Sequence, residues 1–132
     1  MINPRIPARA PLAMAAILAL SLTLLAGCAA RQADPRILKG QGLNHIRDVA
    51  VSEHPREDGF LLLQITGTNT ASKARPLWYA VEWFDADGLI LDSFQARWKE
   101  VTVEGKMPFV ITELAPRPTA RKWRLMLKHD LK

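Results

Sequence analysis

Two kinds of hydrophobic pattern divide the chain. From Leu12 to Leu24 apolar residues dominate 13 consecutive positions. That is short of the 18 or so a transmembrane helix needs and matches the core of a signal peptide. Ala29 to Gly42 is polar, holds Pro35 and two glycines and shows no sustained apolar period, so it reads as a tether. Beyond it the pattern breaks into short stretches with a period of two, the mark of half-buried strands.

The first of these, residues 46–52, places Ile46, Val49 and Val51 among polar neighbours, and His54 to Gly59 reads as a turn. Phe60 to Thr70 sets Leu61, Leu63 and Ile65 on one face against Phe60, Leu62, Gln64, Thr66 and Thr68 on the other. Leu77 to Phe84 sets Tyr79, Val81 and Trp83 against Trp78, Ala80 and Glu82, and Trp78, out of phase, is expected to be exposed. Asp85-Ala86-Asp87-Gly88 closes a hairpin onto Leu89-Ile90-Leu91, with Gly88 free to take positive φ. Phe94 to Gly105 admits two readings: a helical turn or irregular crossing over Gln95 to Trp98, or a strand from Trp98 to Val103. Pro108 to Leu114 is a clear strand that Ala115 to Thr119 breaks. The last, Ala120 to Lys128, turns Trp123, Leu125 and Leu127 inward and Lys122, Arg124, Met126 and Lys128 outward. Short strands without βα alternation predict an all-β fold. It is expected to be a small immunoglobulin-like antiparallel β-sandwich of six or seven strands over residues 45–132.

Cysteine usage changes the reading of the N-terminus. Cys28 is the only cysteine and follows Leu25-Ala26-Gly27, behind the apolar run and a basic start at Arg5 and Arg9. This resembles the lipobox of bacterial lipoproteins at all four positions. The resemblance implies cleavage after a signal peptide of residues 1–27, diacylglyceryl attachment to the Cys28 thiol and N-acylation. Residues 28–44 then form the lipidated N-terminus and tether. More than one acyl chain holds a protein stably on a bilayer, so the lipid bilayer is the first expected partner. Ala29, rather than Asp, after the cysteine is what outer-membrane lipoproteins of Gram-negative bacteria carry, which implies an outer-membrane location facing the periplasm. No disulfide is available, so stability must come from the apolar core. Export also argues against nucleic acid as a partner. The formal charge of +5 falls to +3 without the leader, which removes Arg5 and Arg9 and no acidic residue.

The layout further resembles the YcfL-like family of small envelope lipoproteins. The similar features are the lipobox at Cys28, the strand ending Gly67-Thr68-Asn69-Thr70, and Val81-Glu82-Trp83-Phe84-Asp85 with Gly88 closing its turn. Trp98 and the Ala115-Pro116 step complete them. The resemblance implies a compact β-sandwich behind a lipid anchor and carries no catalytic residue and no cofactor.

Candidate chemistry is sparse. Cys28 is consumed by lipid, and Ser21, Ser52, Ser72 and Ser93 lie in no Gly-x-Ser-x-Gly elbow. His45, His54 and His129 fall at domain edges or turns and read as solvated surface residues. A metal site from His45 and His54 with Glu53 or Glu57 matches no known ligand spacing. Glu82, Asp85, Asp87 and Asp92 cluster around the hairpin; paired carboxylates there would serve a small cell-wall hydrolase, while turn formation alone also explains them. Lys122, Arg124 and Lys128 share the outward face of the last strand. They are expected either to blunt an exposed strand edge or to meet an anionic partner such as lipid headgroups or lipopolysaccharide. Trp78, beside Arg75 and Pro76, is a candidate anchor for an envelope protein partner. The expected function is therefore a non-enzymatic binding or structural module held at the envelope, with the hydrolase as the alternative.

Overall fold

β-Branched and aromatic residues in strict alternation cannot bury one face alone, so the strands stack as two layers. The computed structural model describes residues 32–91 and 97–132. The signal peptide, Cys28 and residues 92–96, with Asp92, lie outside the described residues. Seven strands are described: β1 Ile37–Lys39, β2 Ile46–Pro55, β3 Leu61–Asn69, β4 Arg75–Phe84, β5 Lys99–Val103, β6 Pro108–Leu114 and β7 Lys122–Lys128. Sheet A has the order β1-β7-β4-β5 and sheet B the order β2-β3-β6.

The inner faces follow the period of two. β3 alternates buried and half-buried from end to end, with Leu63 and Ile65 at 0 % exposure. β4 buries Leu77, Tyr79 and Trp83, and β7 buries Trp123, Leu125 and Leu127. Val103 of β5 and Ile111 of β6 complete the core between the sheets.

Asn69 is the one buried polar side chain among the described core residues. Its Nδ2 donates to the carbonyls of Val103 and Glu104 at 3.0 Å, and its Oδ1 accepts from the Ala71 N–H at 2.9 Å. The end of β3 is thereby pinned to the β5–β6 turn with its polar groups satisfied. Gly67 leaves room for Phe109, since a Cβ there would sit 2.5 Å from the ring. Gly88 takes φ +86°, and the hairpin it closes is sealed by the Phe84↔Ile90 bridge.

Four expectations are corrected. The tether was expected to run to residue 44, yet Ile37–Lys39 forms β1 and Leu43 is 1 % exposed. β1 pairs with β7 in parallel, Ile37↔Leu125 to Lys39↔Leu127, so sheet A is mixed rather than wholly antiparallel. β2 continues through His54 and Pro55, and the turn begins at Arg56, whose N–H donates to the Phe60 carbonyl. β7 lies between β1 and β4, so its charges guard no free edge. Where the sequence admitted two readings, Lys99–Val103 is a strand.

Candidate functional site

The outward stripe exists, but it is partly neutralised. Cross-strand register places Glu82 opposite Arg124, Phe84 opposite Lys122 and Trp78 opposite Lys128. Arg124 makes an ion pair with Glu82 and lies over the Phe84 ring. The Lys128 ammonium stands 4.7 Å over the Trp98 ring. Trp78 is half-buried rather than exposed, because it has Lys128 on one side and Glu100 on the other. The predicted binding residues Trp78, Lys122, Arg124 and Lys128 therefore do share one face, with only part of their charge free.

The hairpin carboxylates are engaged separately. Glu82 serves Arg124, and Asp85 Oδ1 accepts the N–H groups of Asp87 and Leu89, both at 2.9 Å. His54 is exposed beside Ser52 Oγ, whereas His45 and His129 are half-buried, each with one ring nitrogen lacking a hydrogen-bond partner. Solvated surface histidines describes the first and not the other two. Burial, with the nearby charges of Arg75, His129 and Lys39, pushes the His45 imidazole below its usual range. Among the described residues no group of three metal-ligating side chains occurs.

The arrangement with most structure lies where the two sheets meet at their sides. Each side is joined by a carboxylate from sheet B, an aromatic donor from sheet A and a cation. On the β1/β2 side, Trp123 Nε1–H donates to Glu53 Oε1 at 2.6 Å. Arg36 bonds the same oxygen at 2.8 Å and stacks 4.0 Å over the Trp123 ring. On the β5/β6 side, Tyr79 O–H donates to Glu113 Oε1 at 3.0 Å, and Lys99 Nζ bonds both carboxylate oxygens at 2.8 Å. Burial first, and then the Glu113 carboxylate, push the Tyr79 phenol up to about 12.

The two sides differ in filling. Trp123 closes the first, at 2 % exposure. The second keeps a cleft of about 270 Å³, floored by Val81, Trp83, Leu114 and Pro116 and rimmed by Arg97 and Lys99. This is near the lower limit of ligand pockets. Glu113 also lines the slot and neutralises Lys99, so among the described residues Arg97 is the lining cation without an ion pair. Sequence reasoning missed Glu113 and Arg36 and weighed Glu53 only as a metal ligand. The signal lay in the period itself, since Glu113 is in phase with the inward Phe109 and Ile111, and Glu53 with Val51.

Two sheets of short strands around a Trp- and Leu-rich core, with one slot at an open side, define a small β-sandwich domain. The chain belongs to the family described as a protein of unknown function, DUF1425, which matches residues 41–129. A crystal structure of a DUF1425 family member from Shewanella sp. pv-4 is similar at 27 % identity and TM-score 0.57, over 66 % of this chain and 80 % of that one. The crystal structure of Campylobacter jejuni cj0090 shares the fold at 19 % identity and TM-score 0.64, over 74 % of this chain and all of that one. No curated protein matches.

Proposed function

We propose that this DUF1425 member is a YcfL-like envelope lipoprotein. Acylated Cys28 holds it to the periplasmic face of the outer membrane of a Gram-negative host, and it works there as a non-enzymatic binding module. The observation that carries the reading is Leu25-Ala26-Gly27-Cys28 behind a leader of signal-peptide length. Two features support the binding role: the slot between β4 and β6, and an outer face of sheet A that combines Trp78, Lys122 and Lys128. Such a face meets anionic lipid headgroups or lipopolysaccharide by long-range attraction that weakens with salt. An envelope protein is the partner the slot suits.

Intact-mass spectrometry of the membrane fraction tests the anchor. The expected species begins at Cys28 and carries its acyl groups, and Cys28→Ala leaves the leader uncleaved. A mature chain with a free Cys28 thiol, or one cut elsewhere, overturns the reading.

A further inference from the structure

An open sandwich ends in edge strands whose outward N–H and C=O groups invite a further strand. Three of the four edges here are closed to it. β1 is only three residues long. β2 breaks its ladder between Arg47 and Ala50, where Asp48 takes φ +53°, and it carries the charges of Arg47 and Asp48 there. β5 is five residues long with Lys99 and Glu100. β6 has none of these devices. Its seven residues pair with β3 in unbroken register, from Leu62↔Leu114 to Thr68↔Pro108. Its single charge, Glu113, turns inward to Tyr79, while Val110 and Leu114 are 59 % and 46 % exposed.

Hydrogen-bond phase identifies the free groups. The Asn69 N–H donates to the Met107 carbonyl at 3.0 Å, and the Ala115 N–H to the Leu61 carbonyl at 2.8 Å. In an antiparallel ladder the pairing alternates, so Phe109, Ile111 and Glu113 turn their backbone groups to β3. Val110, Thr112 and Leu114 turn theirs to the open side. Sheet A has four strands to the three of sheet B, and Glu113 reaches both Tyr79 of β4 and Lys99 of β5. The β6 edge therefore faces β4 and β5, and the slot is lined by residues of all three strands.

We propose that β6 is a strand-addition edge that takes an extended segment of a partner protein, apolar at alternate positions and bearing a carboxylate. The segment pairs with the free groups of Val110, Thr112 and Leu114. Its inward apolar side chains enter the slot over Val81 and Trp83, and its carboxylate meets Arg97 on the rim. A second copy is the competing occupant, but its β6 brings no free carboxylate to Arg97, since the one charge of that strand, Glu113, is held by Tyr79 and Lys99. The inference goes beyond the lipid anchor and does not depend on it.

The test uses the full isotope-labelled chain in detergent and a pool of short synthetic peptides of alternating Val and Thr with one Asp. The amides of Val110, Thr112 and Leu114 are expected to shift and to gain about tenfold protection from exchange. Thr112→Pro removes an N–H that the β3–β6 ladder does not use, and Pro is tolerated at such edge positions. It should weaken binding at least about tenfold, ~1.4 kcal/mol, with an unchanged melting temperature. Arg97→Glu, independent of β6, should reverse the preference between Asp-bearing and Lys-bearing peptides. No shift at ~1 mM peptide overturns the proposal. So does binding indifferent to both variants, or self-association that Thr112→Pro abolishes.

Discussion

The two sides of the sandwich are built from the same three kinds of group and come to different ends. On the β1/β2 side the donor is the indole of Trp123, buried beneath the Glu53 carboxylate, and the planar Arg36 guanidinium lies over it. On the β5/β6 side the donor is the phenol of Tyr79 and the cation is the flexible Lys99, and neither fills the space. The same polar join thus closes a side when its aromatic is bulky and its cation planar, and leaves a slot when they are not. One side is filled, and the other keeps an open slot.

If that contrast holds, the largest effect comes from emptying the filled side. Trp123→Ala should cost about 3 to 5 kcal/mol, the range for deleting a buried large aromatic, and it strands Glu53 without its indole donor. Trp83→Ala, which removes a core aromatic at 5 % exposure, should match it. Trp78→Ala should cost less, because that residue is only partly buried. Chemical denaturation of the three variants decides; equal losses would mean that the ring phases do not set the energetics.

On the open side the hydrogen bond matters more than the packing. Tyr79→Phe keeps the ring and removes the O–H donated to Glu113, at a cost of roughly 1.5 to 3 kcal/mol for a bond to a charged group. Its pH dependence gives a sharper reading. The phenol titrates near 10 in the unfolded chain and at about 12 in the fold. The unfolded chain therefore releases this proton first as pH rises. The stabilisation from Tyr79 is complete below about pH 10 and is lost as pH climbs through about 12. The stability gap between the native chain and Tyr79→Phe should narrow across that window. A constant gap would show that the phenol is not held by Glu113.

Much of this was legible in the sequence, because one physical rule, alternation across a pleated strand, governs β3, β4 and β7. That rule gave the inward faces of Leu61, Leu63 and Ile65, of Tyr79 and Trp83, and of Trp123, Leu125 and Leu127, and turn chemistry gave Gly88 its positive φ. β1 was not legible. Three residues carry no period, and Ile37-Leu38-Lys39 becomes a strand only because β7 lies beside it. The joins at the two sides were hidden for a different reason. An inward Glu reads as a polar interruption until an aromatic donor from the other sheet is seen to meet it, and sequence separations of 34 and 70 residues join those partners. The partial neutralisation of the basic stripe is also a pairing fact, since Glu82 lies opposite Arg124 only through the β4–β7 register.

The smallest expected effect separates the two cations. Both side chains are about half exposed, 46 % for Arg36 and 52 % for Lys99, so each ion pair on its own is worth about 0 to 1 kcal/mol after solvent screening. Lys99→Met should therefore fall within that range, and less of it should remain at high salt. Arg36 does more than pair. Its guanidinium bonds both Asp34 and Glu53, and it also lies over the Trp123 ring, where a cation contact adds roughly 0.5 to 1 kcal/mol. Arg36→Met should accordingly cost about 0.5 to 3 kcal/mol on adding these contributions. The part due to stacking should persist in salt that screens the ion pairs. Thermal melts of both variants at low and high ionic strength make the comparison. Were the two losses equal and equally screened, the planar cation would add nothing to the closed side, and the indole alone would account for the difference between the sides.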